Sequence, residues 1–140
     1  MSAGQDATAQ TQGLKWPSLP PFYEHLGLRL DALGGGRCVC TLPYAKHFGN
    51  SRGEIHGAIV ASVLDIAMSQ AARSAIPELT NIATISMTVN YLAPAHGVLT
   101  CNAMMVKAGG AVAFAEGEVS DAKGTPVCRA TATYRIRRGR

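Results

Sequence analysis

The chain has 140 residues, of which 47% are hydrophobic and 16% are charged, so it can bury one hydrophobic core as a single domain. Its net charge of +4 does not indicate a nucleic-acid partner, because no nucleic-acid motif is present and the basic residues are not interleaved with aromatic ones. No apolar run is long enough to span a membrane, so we expect no membrane partner. The C-terminal arginines are typical of a solvated tail, with a phosphate-bearing partner as the alternative: Arg135, Arg137, Arg138 and Arg140.

The N-terminal residues and the cysteines both favour a cytoplasmic protein. Residues 1–13 are small and polar and lack the basic and apolar regions of a signal peptide. A proline-rich lead-in follows them, so we expect a disordered tail over residues 1–20 and one domain over residues 21–140. Four cysteines lie in apolar or alternating stretches without a C-x-x-C pair, which is typical of buried free thiols in a reducing compartment: Cys38, Cys40, Cys101 and Cys128.

The first half of the domain reads as a short helix and a hairpin. PFYEHLG has proline in its first turn and glycine at its end, which predicts a short helix from Pro21 to Gly27. Residues 28–33 and 37–42 alternate between apolar and polar, and the three glycines between them predict a hairpin turn. The segment 43–54 is rich in turn residues and is predicted to be a loop.

The middle of the chain has the period of a helix. From Ala58 to about Ile76, apolar residues recur at helical spacing over four turns, as the pairs Ile59-Val60, Val63-Leu64, Ala67-Met68 and Ala71-Ala72. Pro77 ends the predicted helix, because the residue before a proline is disfavoured in the α conformation.

The rest of the chain has the composition of β-strands. We predict four strands, over residues 84–92, 99–107, 111–120 and 126–136, separated by turn residues. Their short connections predict an antiparallel meander. One long amphipathic helix with about six strands predicts an α+β domain in which the helix covers one face of the sheet.

Two residues of the long helix suggest chemistry. Gly57 lies at the helix start, where free backbone N–H groups and the helix dipole favour negative charge, and where a glycine lets a substrate approach closely. Asp65 lies two turns further on, beside the apolar stripe and near the small residues Ala61, Ser62 and Ser69. A carboxylate in that position is a base, a nucleophile or a hydrogen-bonded structural group.

The spacing Asn50-x-x-Gly53-x-x-His56-Gly57, followed by Asp65 on the helix, resembles a known family. It is similar to the hotdog-fold thioesterases of the phenylacetate-degradation (PaaI-like) group and to their mammalian acyl-CoA thioesterase relatives. The resemblance includes TISMTVNYLAPA and extends from about residue 22 to residue 136. It implies the hotdog fold, an antiparallel sheet of about six strands wrapped around one long central helix.

The resemblance also implies roles for individual residues. The Gly57 N–H polarises the thioester carbonyl, and Asn50 helps to bind that carbonyl or to orient water. Asp65, contributed by the other subunit of a dimer, is the general base or the nucleophile. Thr84 matches the position of a hydroxyl residue that places the water, and Ser86 is the fallback for this role.

Further residues are candidates for holding the loop or the substrate. His56 resembles a family residue that fixes the loop by hydrogen bonds. At Ala58 the family usually has a second glycine, and the added methyl group narrows the site or alters the helix start. Coenzyme A is a polyanion, so basic residues beside the site are candidates for binding it: Arg73, Lys107, Lys123 and Arg129.

The function implied is hydrolysis of an aromatic or medium-chain acyl-CoA, with coenzyme A as the leaving group and no metal or redox cofactor. The resemblance implies a homodimer with shared sites, assembled into a homotetramer. A non-catalytic acyl-CoA-binding domain is one alternative, and the Asp65 carboxylate argues against it. A hotdog dehydratase or hydratase using His56 and Asp65 is another, but the proline-rich stretch that follows the histidine in such dehydratases is missing.

Overall fold

The structure is a computed structural model that describes residues 14–139. Over these residues it contains two α-helices, a short 3₁₀-helix at Lys46–Phe48 and six β-strands. In chain order the helices and strands are α1 (Pro21–Leu26), β1 (Arg29–Gly34), β2 (Arg37–Leu42), α2 (Gly57–Ala75), β3 (Leu79–Tyr91), β4 (Leu99–Ala108), β5 (Val112–Ser120) and β6 (Pro126–Arg138).

The strands of residues 14–139 form one antiparallel sheet in the order β1-β2-β4-β5-β6-β3, and α2 packs across one face of it. The helix buries its apolar stripe against the sheet, and Leu64 and Met68 approach the backbone of Gly117 in β5. A side chain at position 117 would meet these two residues at 3.1 and 3.3 Å, so the glycine sets how closely the helix can approach. This architecture confirms the predicted α+β hotdog fold.

The predicted meander is wrong for one strand. β4, β5 and β6 are sequential neighbours, but β3 pairs with β6 instead of β4 and lies at the edge of the sheet. The connecting residues 92–98 contain a proline and no tight turn, and the N–H groups of Leu92 and Ala93 donate to the carbonyl of Val127, at 2.9 and 3.3 Å. These bonds carry the chain across the start of β6 toward β4.

Strand β3 begins at Leu79, five residues before the predicted start at Thr84. Its early residues are of mixed polarity, so the sequence does not identify them as a strand. They form one because they pair with the segment that contains the C-terminal arginines. Arg135 pairs with Ala83 and Arg138 with Leu79 in the ladder, so the part of the predicted basic tail within residues 14–139 belongs to β6. Arg138 also donates to the carbonyls of Gly109 and Gly110, at 3.1 and 2.8 Å.

The ordered N-terminal region begins earlier than the predicted domain boundary at residue 21. The Trp16 indole N–H donates to the carbonyl of Leu28 at 3.0 Å, and its ring makes an edge-on contact with Tyr23. This corrects the C-terminal part of the tail predicted over residues 1–20, while residues 1–13 lie outside the described residues. Helix α1 ends at Gly27, whose φ of 66° is a left-handed conformation that favours glycine.

The four cysteines are buried and free, as the sequence predicts. They are distributed over β2, β4 and β6, where they face α2. Among residues 14–139, no helix is both long enough and apolar enough to cross a lipid bilayer.

Candidate active site

Asp65 lies half-buried in the middle of α2, where two hydroxyl groups converge on its carboxylate. Thr84 in β3 donates to Oδ1 at 2.9 Å, and Tyr134 in β6 has its hydroxyl 2.9 Å from the same oxygen. The Tyr134 hydroxyl is also 3.0 Å from the Asp65 carbonyl oxygen, so its proton has two acceptors on one residue. No hydrogen bond within residues 14–139 engages Oδ2, so one carboxylate oxygen is held and the other is available.

Tyr134 is fully buried, and this keeps its hydroxyl protonated. Burial, with the adjacent Asp65 charge as a second cause, raises the pKa of Tyr134 well above that of an ordinary tyrosine. Tyr134 is therefore a hydrogen-bond donor to the carboxylate and does not compete with it as a base.

An irregularity in β3 decides which hydroxyl of that strand reaches Asp65. The ladder with β6 runs Thr84–Tyr134 and then Ser86–Thr133, so Ile85 is an extra residue in the strand. The bulge leaves Thr84 facing α2. Ser86 lies with Thr131 and Thr133 on the opposite face of the sheet. Of the two predicted hydroxyl positions, the structure brings Thr84, and not Ser86, to Asp65.

Of the first two backbone N–H groups of α2, one is engaged within the described chain and the other is not. His56 is the N-cap residue, and its Nδ1 accepts from the N–H of Ala58 at 3.1 Å. No group within residues 14–139 accepts from the N–H of Gly57. The N–H of Ala58 is therefore capped by His56, and the N–H of Gly57 is free to bind another group.

Tyr91, at the end of β3, packs against this helix start. Its hydroxyl donates to the carbonyl of Gly57 at 3.0 Å, and a Cβ added to Gly57 would lie 3.1 Å from the tyrosine ring. Gly57, Tyr91 and Asn50 border one cavity of about 390 Å³, called the Gly57 cavity below. A glycine at this position therefore avoids a tight contact with the Tyr91 ring.

Asn50 organises the loop that closes the Gly57 cavity. Its side-chain oxygen accepts from the N–H groups of Arg52 and Glu54, at 2.8 and 3.0 Å, and its amide nitrogen donates to the Glu54 carboxylate at 3.2 Å. Hydrogen bonds from Asn50 and Arg52 lower the pKa of Glu54. In a single chain, Asn50 is therefore engaged mainly by its own loop.

The remaining predicted residues separate into near and distant groups. Arg73 lies on α2 and borders, together with Asp65, a second cavity of about 290 Å³, called the Asp65 cavity below. Arg129 lies on the other face of the sheet and is paired with Glu118 at 2.5 Å. Lys107 at the end of β4 and Lys123 in the β5–β6 turn border neither of the two cavities.

Sequence reasoning missed Tyr134, Tyr23 and Gln70, and it named Tyr91 only as one residue that could line the pocket. The alternation of β6 indicates that Tyr134 faces the helix, but its contact with Asp65 depends on the pairing of distant segments. Tyr91 belongs to the YLAP segment, and only the fold brings it to Gly57. Gln70 and Tyr23 border the Asp65 cavity, and the sequence contains no signal for their contact. Within the described part of the chain, no cluster of three His, Cys, Asp or Glu side chains could hold a metal ion.

Comparisons with known proteins point to one class of protein, the esterases and thioesterases. The chain is 33% identical over 122 residues to a protein of Halobacterium salinarum that is provisionally named an esterase, covering 79% of this chain and 81% of that one. A thioesterase family protein from Silicibacter pomeroyi is 30% identical, with a TM-score of 0.81 over 86% of this chain and 91% of that chain. A hypothetical thioesterase from Streptococcus pneumoniae, solved with coenzyme A, has the same fold, with 23% identity and a TM-score of 0.74 over 81% and 90% of the two chains.

The fold and these relatives define a hotdog-fold protein of the thioesterase superfamily, a class of thioester hydrolases. Within it, the chain belongs to the family described as a domain of unknown function, DUF4442, whose model matches residues 16–136.

Proposed function

We propose that this protein is a PaaI-like acyl-CoA thioesterase in which Asp65 activates the attacking water and the Gly57 N–H stabilises the oxyanion. The observation that carries the proposal is the asymmetric Asp65 carboxylate, with Oδ1 held by Thr84 and Tyr134 and Oδ2 without a partner in the described chain. Such a carboxylate is oriented but still has a basic oxygen for a water molecule.

The free N–H of Gly57 suits the second role. A thioester carbonyl gains negative charge on its oxygen when water adds to the carbon, and an N–H at a helix start stabilises that charge. The Tyr91 hydroxyl fixes the peptide group that follows this N–H by binding the Gly57 carbonyl.

The two groups cannot act on one carbonyl within a single chain. Gly57 and Asp65 are eight residues apart on one helix (65 − 57 = 8), or about 12 Å along its axis. A base and an oxyanion donor must both lie within roughly 3 Å of the reacting atoms. We therefore propose that Asp65 of one subunit completes the site formed by Gly57 of another.

The edge of the sheet supports this arrangement. β3 contains Thr84 and Tyr91 and pairs within the described chain with β6 on one side only. An exposed edge strand of this length, with Ile85 56% exposed, is a template for pairing with a second strand. Pairing between two β3 strands would bring the two half-sites together in a homodimer, and a homotetramer would be two such dimers.

The reaction then proceeds in two steps. Oδ2 of Asp65 takes a proton from water as the hydroxide oxygen bonds to the thioester carbon, and the carbonyl oxygen becomes an oxyanion at the Gly57 N–H. The oxyanion collapses, the C–S bond breaks with its electrons on sulfur, and the coenzyme A thiolate takes up the proton that Asp65 gained from water, which restores the carboxylate. The products are the free acid and coenzyme A. The Streptococcus pneumoniae relative that contains coenzyme A supports this substrate, and an aromatic or medium-chain acyl group is proposed.

Nucleophilic attack by Asp65 itself is the other route, and an unlabelled acid from a single turnover in H₂¹⁸O would identify it. General-base catalysis places ¹⁸O in the acid product of the first turnover. Attack by Asp65, followed by water addition at the aspartyl carbonyl, delivers an unlabelled acid and leaves the label in the enzyme.

Replacing Asp65 tests the proposal directly. Asp65→Asn keeps the shape of the side chain and removes the base, so we expect kcat/KM on a panel of aryl- and alkyl-CoA esters to fall at least about 100-fold. Release of free thiol measures the reaction, and circular dichroism checks the fold. The matched control is Glu116→Gln, the same change at an exposed carboxylate of β5, which should keep full activity. Full hydrolysis by Asp65→Asn would contradict the mechanism, and binding without turnover by the unchanged protein would indicate a non-catalytic acyl-CoA-binding domain.

A further inference from the structure

The face of the sheet that points away from α2 carries exposed apolar side chains, and it is called the far face below. The two faces differ clearly in β5, where Ala115 is 2% exposed in the core beneath α2 and Phe114 is 46% exposed on the far face. Met104 and Val106 of β4 are 38% and 59% exposed, and Val106 borders one cavity with Phe114. Apolar side chains exposed as a group mark interaction surfaces. The exposed residues of the far face include Arg37, Met104, Val106, Phe114, Glu116 and Thr131.

One row of side chains crosses five strands of the far face. In the ladder, Arg37 of β2 is opposite Met104 of β4, and Met104 is opposite Glu116 of β5. The row continues through Thr131 of β6 to Thr88 of β3. Neighbouring strands are about 4.8 Å apart, so Arg37 and Glu116 lie at nearly equal distances on the two sides of Met104. The apolar side chain of Met104 therefore separates a cation from an anion.

Neither charge of this row is engaged within residues 14–139. No ion pair or side-chain hydrogen bond there includes Arg37 or Glu116, although Arg129 and Glu118 form an ion pair in the neighbouring row of the same face. Arg37, Met104 and Glu116 border one cavity of about 550 Å³. A partner that fits this surface must supply the opposite charge at each of the two positions.

A second copy of the chain meets this requirement. If the copy is rotated by half a turn about an axis along β4, its Met104 meets Met104, its Arg37 faces Glu116, and its Glu116 faces Arg37. A two-fold interface consists of such reciprocal contacts, because the same patch must fit itself. The strands of the two sheets then run in nearly the same direction, as in aligned sheet packing. Facing sheets lie about 10 Å apart, a gap that an arginine and a glutamate side chain span together.

We propose that the far face is an interface between two copies of this chain, in which Arg37 of each copy pairs with Glu116 of the other beside an apolar centre at Met104. Arginine, methionine and phenylalanine are enriched in interface cores, which agrees with the exposed Arg37, Met104 and Phe114. The interface goes beyond the proposed function, because Gly57 and Asp65 lie on α2, across the sheet from it. It would join two dimers formed through β3 into the tetramer.

Charge reversal tests the pairing, with the assembly of the full chain measured by sedimentation velocity. Arg37→Glu places glutamates opposite each other twice in one interface, so we expect the Kd between the copies to rise at least about 100-fold. Glu116→Arg places arginines opposite each other and should have the same effect. Lys123→Glu, the same change of charge in the β5–β6 turn, is the control and should leave the assembly unchanged.

The double variant, Arg37→Glu with Glu116→Arg, exchanges the two charges and keeps every pair opposite in sign. We expect its Kd to return to within about ten-fold of the value for the unchanged protein. Damage to the fold by either single change would not be repaired by the second change. Recovery in the double variant therefore identifies a direct pairing of Arg37 with Glu116.

The outcomes separate this interface from the proposed active site. A tetramer that dissociates to dimers supports the far-face interface together with the β3 dimer, and a dimer that dissociates to monomers supports the far-face interface but contradicts the shared site. A monomeric unchanged protein, an unchanged assembly in both single variants, or a double variant that stays dissociated overturns the far-face interface. Dissociated Arg37→Glu should hydrolyse esters within about two-fold of the unchanged protein, because the site lies on the other face. Absence of hydrolysis in the unchanged protein would overturn the proposed function alone.

Discussion

The two oxygens of the Asp65 carboxylate lie in different environments. Oδ1 is close to two hydroxyl groups that come from different strands, and Oδ2 has no partner in the described chain. Because both hydroxyl groups bond Oδ1, rotation of the carboxylate is restricted, and Oδ2 points in a defined direction. A carboxylate held in this way loses little entropy when a water molecule binds to it.

Removing the Tyr134 hydroxyl tests how much this orientation contributes. We expect Tyr134→Phe to lower kcat/KM on the order of ten-fold, because the ring still fills the core but Asp65 is less firmly held. Loss of a buried hydrogen bond should lower the free energy of unfolding by about 1–3 kcal/mol, measured in urea. Tyr44→Phe, at a tyrosine that is 57% exposed, should change neither value. Equal activity of the two variants would show that Thr84 alone positions the carboxylate.

Gly57 permits a test that separates its N–H from its lack of a side chain. Gly57→Pro removes the N–H, and the first position of a helix tolerates proline, especially after His56 in an extended conformation with ψ of 136°. We expect kcat to fall about 100- to 1000-fold, as for loss of an oxyanion donor. Gly57→Ala keeps the N–H and adds only the methyl group that meets Tyr91, so its smaller loss measures crowding. If both variants lose the same activity, then crowding explains the effect and the N–H has no role.

The sequence was informative about residues that lie in one contiguous motif. Gly57 and Asp65 could be found because they share a helix whose period is visible, and the resemblance to a known family assigns their roles. Tyr134 and Gln70 could not be found, because their partners Asp65 and Tyr23 are 69 and 47 positions away in the chain. Such contacts depend on strand register and helix packing, which single-chain patterns do not specify.

At the scale of elements, the bulge in β3 determines which side chains reach the site. A regular strand has alternating faces, so Thr84 and Ser86 would point the same way, and the sequence could not separate them as candidates. The extra residue Ile85 shifts the register by one position and reverses the faces beyond it. The pairing with β6 also explains why β3 was predicted too short. Its first residues are extended because they pair with β6, although their composition alone does not indicate a strand.

This assignment of faces predicts opposite results for two neighbouring hydroxyl residues. Thr84→Val removes the hydroxyl beside Asp65 and keeps the shape, so we expect kcat/KM to fall on the order of ten-fold or more. Ser86→Ala changes the far face of the sheet and should leave hydrolysis within about two-fold. Steady-state kinetics on one ester measures both. A larger loss for Ser86→Ala would place that residue in the site of the assembled protein and would contradict the face assignment.

At the scale of the whole molecule, the proposed mechanism needs a second copy of the chain, because Gly57 and Asp65 lie too far apart on one helix to act on the same carbonyl. Co-expression of Asp65→Asn with Gly57→Pro tests this, because a mixed dimer has one site with both changes and one with neither. Random pairing should restore about a quarter of the normal sites, although each variant alone is nearly inactive. Differently tagged chains allow the mixed dimer to be purified and assayed. A mixed dimer no more active than its parents would show that each chain forms its site alone.

The buried cysteines have a consequence for how this enzyme can be followed. A hydrogen bond with Cys40, together with burial, raises the pKa of Cys38, and burial raises the pKa of Cys128 to about 11. Thiols react with disulfide reagents as thiolates and only when they are accessible. The buried cysteines of the native chain therefore do not react with the reagent and add no signal to the assay. A coloured disulfide reagent in the cuvette therefore counts released coenzyme A alone. The same trace also reports denaturation, because an unfolding chain exposes its own thiols and adds a second, slower signal.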